Sequence, residues 1–157
     1  MRIPPLGPRG EGWTFVQVVL MFAVIVAGVA GTAWPDGASS VLRGGGLLIA
    51  IGGQVLFIGG LAGLRHSLTP FPRPLEHGRL EVGGAYRLVR HPIYGGLILI
   101  TLGWSLNSSP LALVLTVTLA LVLEAKSRLE ESMLALRFPE YGAYRHRVRW
   151  RFVPGVH

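Results

Sequence analysis

Trp13 to Trp34 reads WTFVQVVLMFAVIVAGVAGTAW, 22 residues without a charged side chain. A helix of about 20 residues crosses the roughly 30 Å of hydrocarbon in a bilayer. Moving outward, Gly44 to Leu64 adds 21 uncharged residues, and Ile93–Leu106 and Pro110–Leu123 are apolar runs of 14 each. The two shorter runs cross only if their helices extend into polar flanks. Pro92 is a good first helical residue, Ser109 is a cap before Pro110, and no breaker follows Pro110 until Pro139. A soluble domain of 157 residues cannot cover four such helices. The pattern predicts an all-α polytopic membrane protein forming a single domain over 1–157. Four transmembrane helices are expected, the third and fourth as a hairpin, followed by a cytoplasmic C-terminal helical extension.

The formal charge of +7 does not point to nucleic acid once its distribution is read. In a four-span arrangement, 14 of the 15 Lys and Arg fall on one side and only Arg43 on the other. Cytoplasmic loops carry that excess, so both termini are expected in the cytoplasm of a cell-membrane protein. The first apolar run is longer than the core of a cleaved signal, and no export pattern follows it. The chain has no cysteine, which excludes disulfides, thiol nucleophiles and thiolate metal sites. His66, His77, His91, His146 and His157 show no ligand spacing, so no metal is expected.

The first helix is expected to end near Trp34-Pro35-Asp36-Gly37, a turn signal. The second carries Gly45/Gly46, Gly52/Gly53 and Gly59/Gly60. A seven-residue interval stacks the pairs on one face, which reads as a packing seam, with a backbone lining a cofactor cleft as the alternative. The stretch 65–90 is a long cytoplasmic loop in which Pro70, Pro72 and Pro74 favour extended backbone.

Polar groups rare at membrane depth gather at the edges of the last two apolar runs. Placed on a helix, Glu124, Arg128 and Glu131 share one face, Lys126 and Glu130 another, and Leu129, Met133 and Leu136 an apolar stripe. This spacing also fits two i,i+4 ion pairs on a solvated face. A hairpin would bring Arg90-His91-Pro92-x-Tyr94-Gly95-Gly96 beside Arg128-x-Glu130-Glu131 at one interfacial pocket.

The order and spacing of these residues resemble the isoprenylcysteine carboxyl methyltransferase and phospholipid methyltransferase superfamily of membrane enzymes. Gly84-x-Tyr86-x-x-x-Arg90-His91-Pro92-x-Tyr94-x-Gly96 is similar to its Arg-His-Pro-x-Tyr signature. Glu130-Glu131, Leu134, Phe138, Tyr141 and Tyr144 resemble its C-terminal pattern, with Pro154 as the closing proline. Pro139 stands where the family usually has glycine. The likeness covers about residues 65–154.

The resemblance implies S-adenosylmethionine as cofactor, held within about 84–154 by Tyr86, Arg90, His91, Pro92, Tyr94, Gly95, Gly96, Glu130, Glu131, Tyr141 and Tyr144. Arginine and histidine suit its carboxylate, glutamates its ammonium and ribose hydroxyls, and tyrosines its adenine or sulfonium. Arg128 and Glu131 are the expected catalytic groups, with Arg128 holding an acceptor carboxylate. The expected partners are the bilayer and a lipophilic small-molecule acceptor, with no nucleic acid. The acceptor's identity and the oligomeric state stay open. Two other readings stand beside this one. An NADPH-dependent sterol-type membrane reductase shares a related motif, although Ile93 here replaces its asparagine. A non-catalytic membrane binding protein is the other.

Overall fold

The computed structural model describes residues 3–64, 69–73 and 78–155, apart from the side chains of 36–40. Pro74, His66, His77 and His157, named above, lie outside the described residues. The described residues form five α-helices and no strand: α1 (Glu11–Ala30), α2 (Asp36–Leu64), α3 (Pro92–Ser108), α4 (Pro110–Arg137) and α5 (Tyr141–Arg147). A 3-10 turn over Gly84–Arg87 precedes α3. Three helices are long and apolar enough to cross a membrane, namely Glu11–Ala30, Val41–Leu64 and Pro110–Arg137. The 17 residues of α3 rise about 25 Å, slightly less than the hydrocarbon thickness.

The helix signals act mostly where the sequence places them. Pro92 opens α3, and the Ser109 hydroxyl accepts from Ala112 N at 3.1 Å to cap α4. Helix α4 runs to Arg137, two residues short of the breaker Pro139. The end of α1 differs. It stops at Ala30, and Asp36-Gly37 belongs to the start of α2 rather than to a turn. Ser109 donates to the Ala27 carbonyl at 2.8 Å, taking up an acceptor at the end of α1. The Trp34 indole N–H then ties the connecting segment to the Ser105 carbonyl at 3.0 Å.

Helix α2 packs chiefly on α3, and α1 on α4. Glycine allows the first pairing. A Cβ on Gly53 would stand 2.9 Å from the Gly96 carbonyl oxygen, and one on Gly60 would stand 3.0 Å from Ile93 N. Gly46 meets Asn107 and the Gly103 backbone in the same way. The seven-residue glycine period is therefore a packing seam, carried by the second member of each pair. Gly45 and Gly52 face open space. The α1–α4 contact is ordinary side-chain packing, with Val24, Ala27 and Ala112 at its centre.

Two sets of contacts mark the ends of the molecule. Gly31 lies beside Ser109, and Gly46 beside Asn107. At the opposite end Gly10 lies against Pro72, Gly63 against Tyr86, and His91 against Glu131. The polar residues gather at this second end.

Candidate active site

The start of α3 is held by the C-terminal segment. Arg90 N donates to the Trp150 carbonyl at 3.0 Å, and His91 N to the Arg151 carbonyl at 2.9 Å. Gly95 is required here, because a Cβ would collide with the Phe152 carbonyl. Gly96 is required on the other side, where a Cβ would sit 2.6 Å from Phe57 Cβ. Pro92 packs beside Gly60. Pro92, Gly95 and Gly96 thus shape the site by packing against protein.

Glu131 sits at the junction. Its Oε1 accepts from Arg90 Nε at 2.9 Å and Arg151 Nε at 3.2 Å, and lies 3.1 Å from His91 Nε2. The Arg90 guanidinium also reaches the Val148 and Arg149 carbonyls at 2.9 and 2.6 Å. Arg90, His91 and Glu131 are all buried. A buried carboxylate needs such donors, since removing it from water is otherwise costly. Glu130, the next residue, turns the other way. Its Oε2 accepts from the Tyr94 hydroxyl at 2.8 Å, and the His91 ring stacks on Tyr94 with centroids 5.5 Å apart.

A cavity of about 430 Å³ opens beside these groups. Tyr86, Arg90, His91, Tyr94 and Glu130 line it with Tyr141 and Tyr144, so both sequence motifs contribute to one space. Val18 and Met21 of α1, Phe57 and Leu61 of α2, and Leu97 of α3 give it an apolar end. Burial pushes the phenols of Tyr86, Tyr141 and Tyr144 above the ordinary tyrosine range, so each remains a neutral hydroxyl. Tyr144 donates to the Tyr86 carbonyl at 2.9 Å. The Tyr141 hydroxyl is the one buried side-chain polar atom among the described residues without a hydrogen-bond partner.

Not every expected residue faces that space. Glu131 lies outside the cavity lining, behind Arg90 and His91. Arg128 is 62% exposed, donates to Glu124 at 2.7 Å, and lines a separate open basin of about 760 Å³. The apolar stripe expected at Leu129, Met133 and Leu136 divides: Leu129 is buried, but Leu136 is 90% exposed.

Lys126 does not join an i,i+4 pair on a solvated face. It is 1% exposed, and its ammonium donates to Gln17 Oε1, the Pro70 carbonyl and Thr14 Oγ1 at 2.7, 2.9 and 3.2 Å. It also lies 5.2 Å from the centre of the Tyr94 ring. Helical spacing gives no sign of those partners, which come from α1 and from the 69–73 segment. Arg151 is equally unmarked in the sequence, as one of several arginines in a basic tail. Its role appears only when the tail folds back onto Glu124 and Glu131.

The phospholipid methyltransferase family profile matches residues 43–140, more than half of the chain. The chain belongs to the phospholipid methyltransferase family. This family lies within the superfamily that also holds the isoprenylcysteine carboxyl methyltransferases. Membership makes the chain a membrane methyltransferase by family, in keeping with its long apolar helices. The match begins near the start of α2, earlier than the motif resemblance at 65, and ends before Tyr141, Tyr144 and Pro154. No curated protein and no solved structure matches the chain.

Proposed function

We propose that this phospholipid methyltransferase family member uses S-adenosylmethionine to methylate a lipophilic acceptor drawn from the bilayer. The observation that carries the reading is the two-ended cavity, with tyrosines, His91 and Glu130 at one end and bilayer-type side chains at the other. Its volume falls within the 300–1,000 Å³ usual for drug-sized ligands. The chemistry of its lining suits the cofactor. Glu130 offers an acceptor for an ammonium or ribose hydroxyl, and Tyr141 has a buried hydroxyl awaiting a partner. The aromatic rings suit adenine or a sulfonium. Bound there, the cofactor would supply an electrophilic methyl group. The chain's part is alignment, since bringing the acceptor into line with that methyl lowers the barrier without further groups.

The roles follow from placement. Tyr86, His91, Tyr94, Glu130, Tyr141 and Tyr144 contact the cofactor. Arg90 lines the same end while its guanidinium fastens Glu131 to the C-terminal segment. Glu131 positions His91. Helices α1 and α2 both face the apolar end yet do not pack closely on one another, which leaves the acceptor a sideways route. Four spans, with α3 and α4 as a hairpin and the site on the cytoplasmic side, complete the reading. The carboxylate-clamp role for Arg128 requires an acceptor headgroup that reaches the outer basin. Arg128→Lys keeps the charge and loses the fork, so it should lower turnover of a carboxylate acceptor while leaving stability unchanged. Equal losses of stability and turnover would make Arg128 structural.

Calorimetry on the purified protein with S-adenosylhomocysteine and NADPH tests the assignment. The first should bind and the second should not. His91→Ala and Glu130→Gln should each weaken binding at least tenfold, about 1.4 kcal/mol. NADPH binding, or full affinity in both folded variants, would overturn it.

A further inference from the structure

On the far side of the Arg90–Glu131–Arg151 junction from the cavity lies the open basin of about 760 Å³. Arg90, Arg128, Arg145, His146, Arg149 and Arg151 line it, with Glu124 the one carboxylate among them. Glu124 already accepts from Arg128 and Arg151. Arg145 and Arg149 are exposed, and neither forms an ion pair among the described residues. Clustered like charges repel one another, and an anion would relieve that repulsion. Guanidinium forks match phosphate oxygens two at a time.

The wall above the basin indicates where the anion comes from. Val114, Val117, Leu121, Glu124 and Arg128 recur every three or four residues along α4, so they share one face. The three apolar members are 62%, 54% and 67% exposed. An exposed hydrocarbon track on a membrane-spanning helix leads directly to the arginines. Basic pockets at the ends of such helices suit anionic lipid headgroups.

We propose that the basin is a binding site for an anionic phospholipid, with its phosphate between Arg145 and Arg149 and an acyl chain along Val114, Val117 and Leu121. The site is separate from the methyl-transfer cavity and rests only on the membrane placement of α4.

The test titrates the full chain in detergent with phosphatidylglycerol, with phosphatidylcholine of the same acyl chains, and with inorganic phosphate. Thermal midpoints report all three, and native mass spectrometry counts bound lipid. Phosphatidylglycerol should bind saturably and at least tenfold more tightly than either alternative. The double variant Arg145→Gln/Arg149→Gln should lose at least tenfold of that affinity, with its lipid-free midpoint unchanged. A second variant, Leu121→Asn, should weaken phosphatidylglycerol binding without creating any preference for phosphate. Equal binding of the two lipids would reduce the site to a non-selective apolar belt. Phosphate binding as tight as the lipid's would make it a free-anion site, and full affinity in the double variant would place the lipid elsewhere. Any of these three results overturns the proposal.

Discussion

Two tyrosines one helical turn apart have opposite obligations. Tyr144 gives its hydroxyl proton to the Tyr86 carbonyl, whereas the Tyr141 hydroxyl is buried without a partner. Tyr144→Phe should therefore cost about 1 kcal/mol of stability, seen as a lower unfolding midpoint, because a buried carbonyl loses its donor. Tyr141→Phe should leave the midpoint unchanged or slightly raised. Its effect should appear in S-adenosylhomocysteine affinity, reduced about three- to tenfold, since the ligand supplies the missing partner. A midpoint loss in Tyr141→Phe with unchanged affinity would show a structural role instead. The sequence marks both tyrosines as site residues through their spacing but cannot separate them. The distinction depends on the 3-10 turn at Gly84–Arg87, which presents its carbonyl to only one of the two hydroxyls. Lys126 shows the same limit. A lysine four residues before a glutamate reads as a surface pair until the Pro70 carbonyl and Gln17 are brought to it from distant segments.

Among the elements, α2 and α3 divide the labour of neighbouring glycines. A methyl on Gly53 would press into the α3 backbone near Gly96 and Ile100, and neither helix can yield without opening the seam. Gly53→Ala should lower stability by about 1–3 kcal/mol, the range for overpacking a rigid contact. Gly52 has nothing within 4 Å, so Gly52→Ala should be neutral or stabilising by up to about 1 kcal/mol, the helix-propensity gain. Denaturation of the two variants side by side reads the difference. Equal effects would mean that the seam does not discriminate between its two glycine columns. The period of seven was visible in the sequence, as were both proline-led helix starts and the Ser109 cap. The member of each pair facing α3 was not, because helix rotation is set by the partner surface. The end of α1 is not legible for a similar reason. Its Ala27 carbonyl accepts from Ser109, 82 residues away, and no local turn signal reports that.

At the scale of the whole molecule, the polar end holds the start of α1, the end of α2, the start of α3 and the end of α4. Combined with the 14 of 15 basic residues that a four-span arrangement places on one side, this predicts that reporters fused after Leu64 and after His157 both read cytoplasmic. An external signal from either would break the four-span arrangement. The membrane class was legible from apolar run length alone, whereas α3, at 17 residues, shows why run length does not settle the number of crossings. The two-ended cavity was legible only in part. Tyr86, Arg90, His91, Tyr94, Glu130, Tyr141 and Tyr144 come from the motifs, but Thr14, Gln17 and Lys126, and the apolar side chains of α1 and α2, do not.

The pairing of α1 with α4, rather than with α2, bears on how the chain is made. Synthesis delivers α1 before α2 and α3, and its main partner α4 only after them, so α1 exists before the helix it packs on. The three acceptors for the Lys126 ammonium are likewise all synthesised before Lys126 itself. A nascent chain halted before α4 would carry His91 and Tyr94 but neither Glu130 nor the strap that holds Arg90. The residues gathered around His91 are thus complete only after α4 and the segment that follows it have been made and folded back.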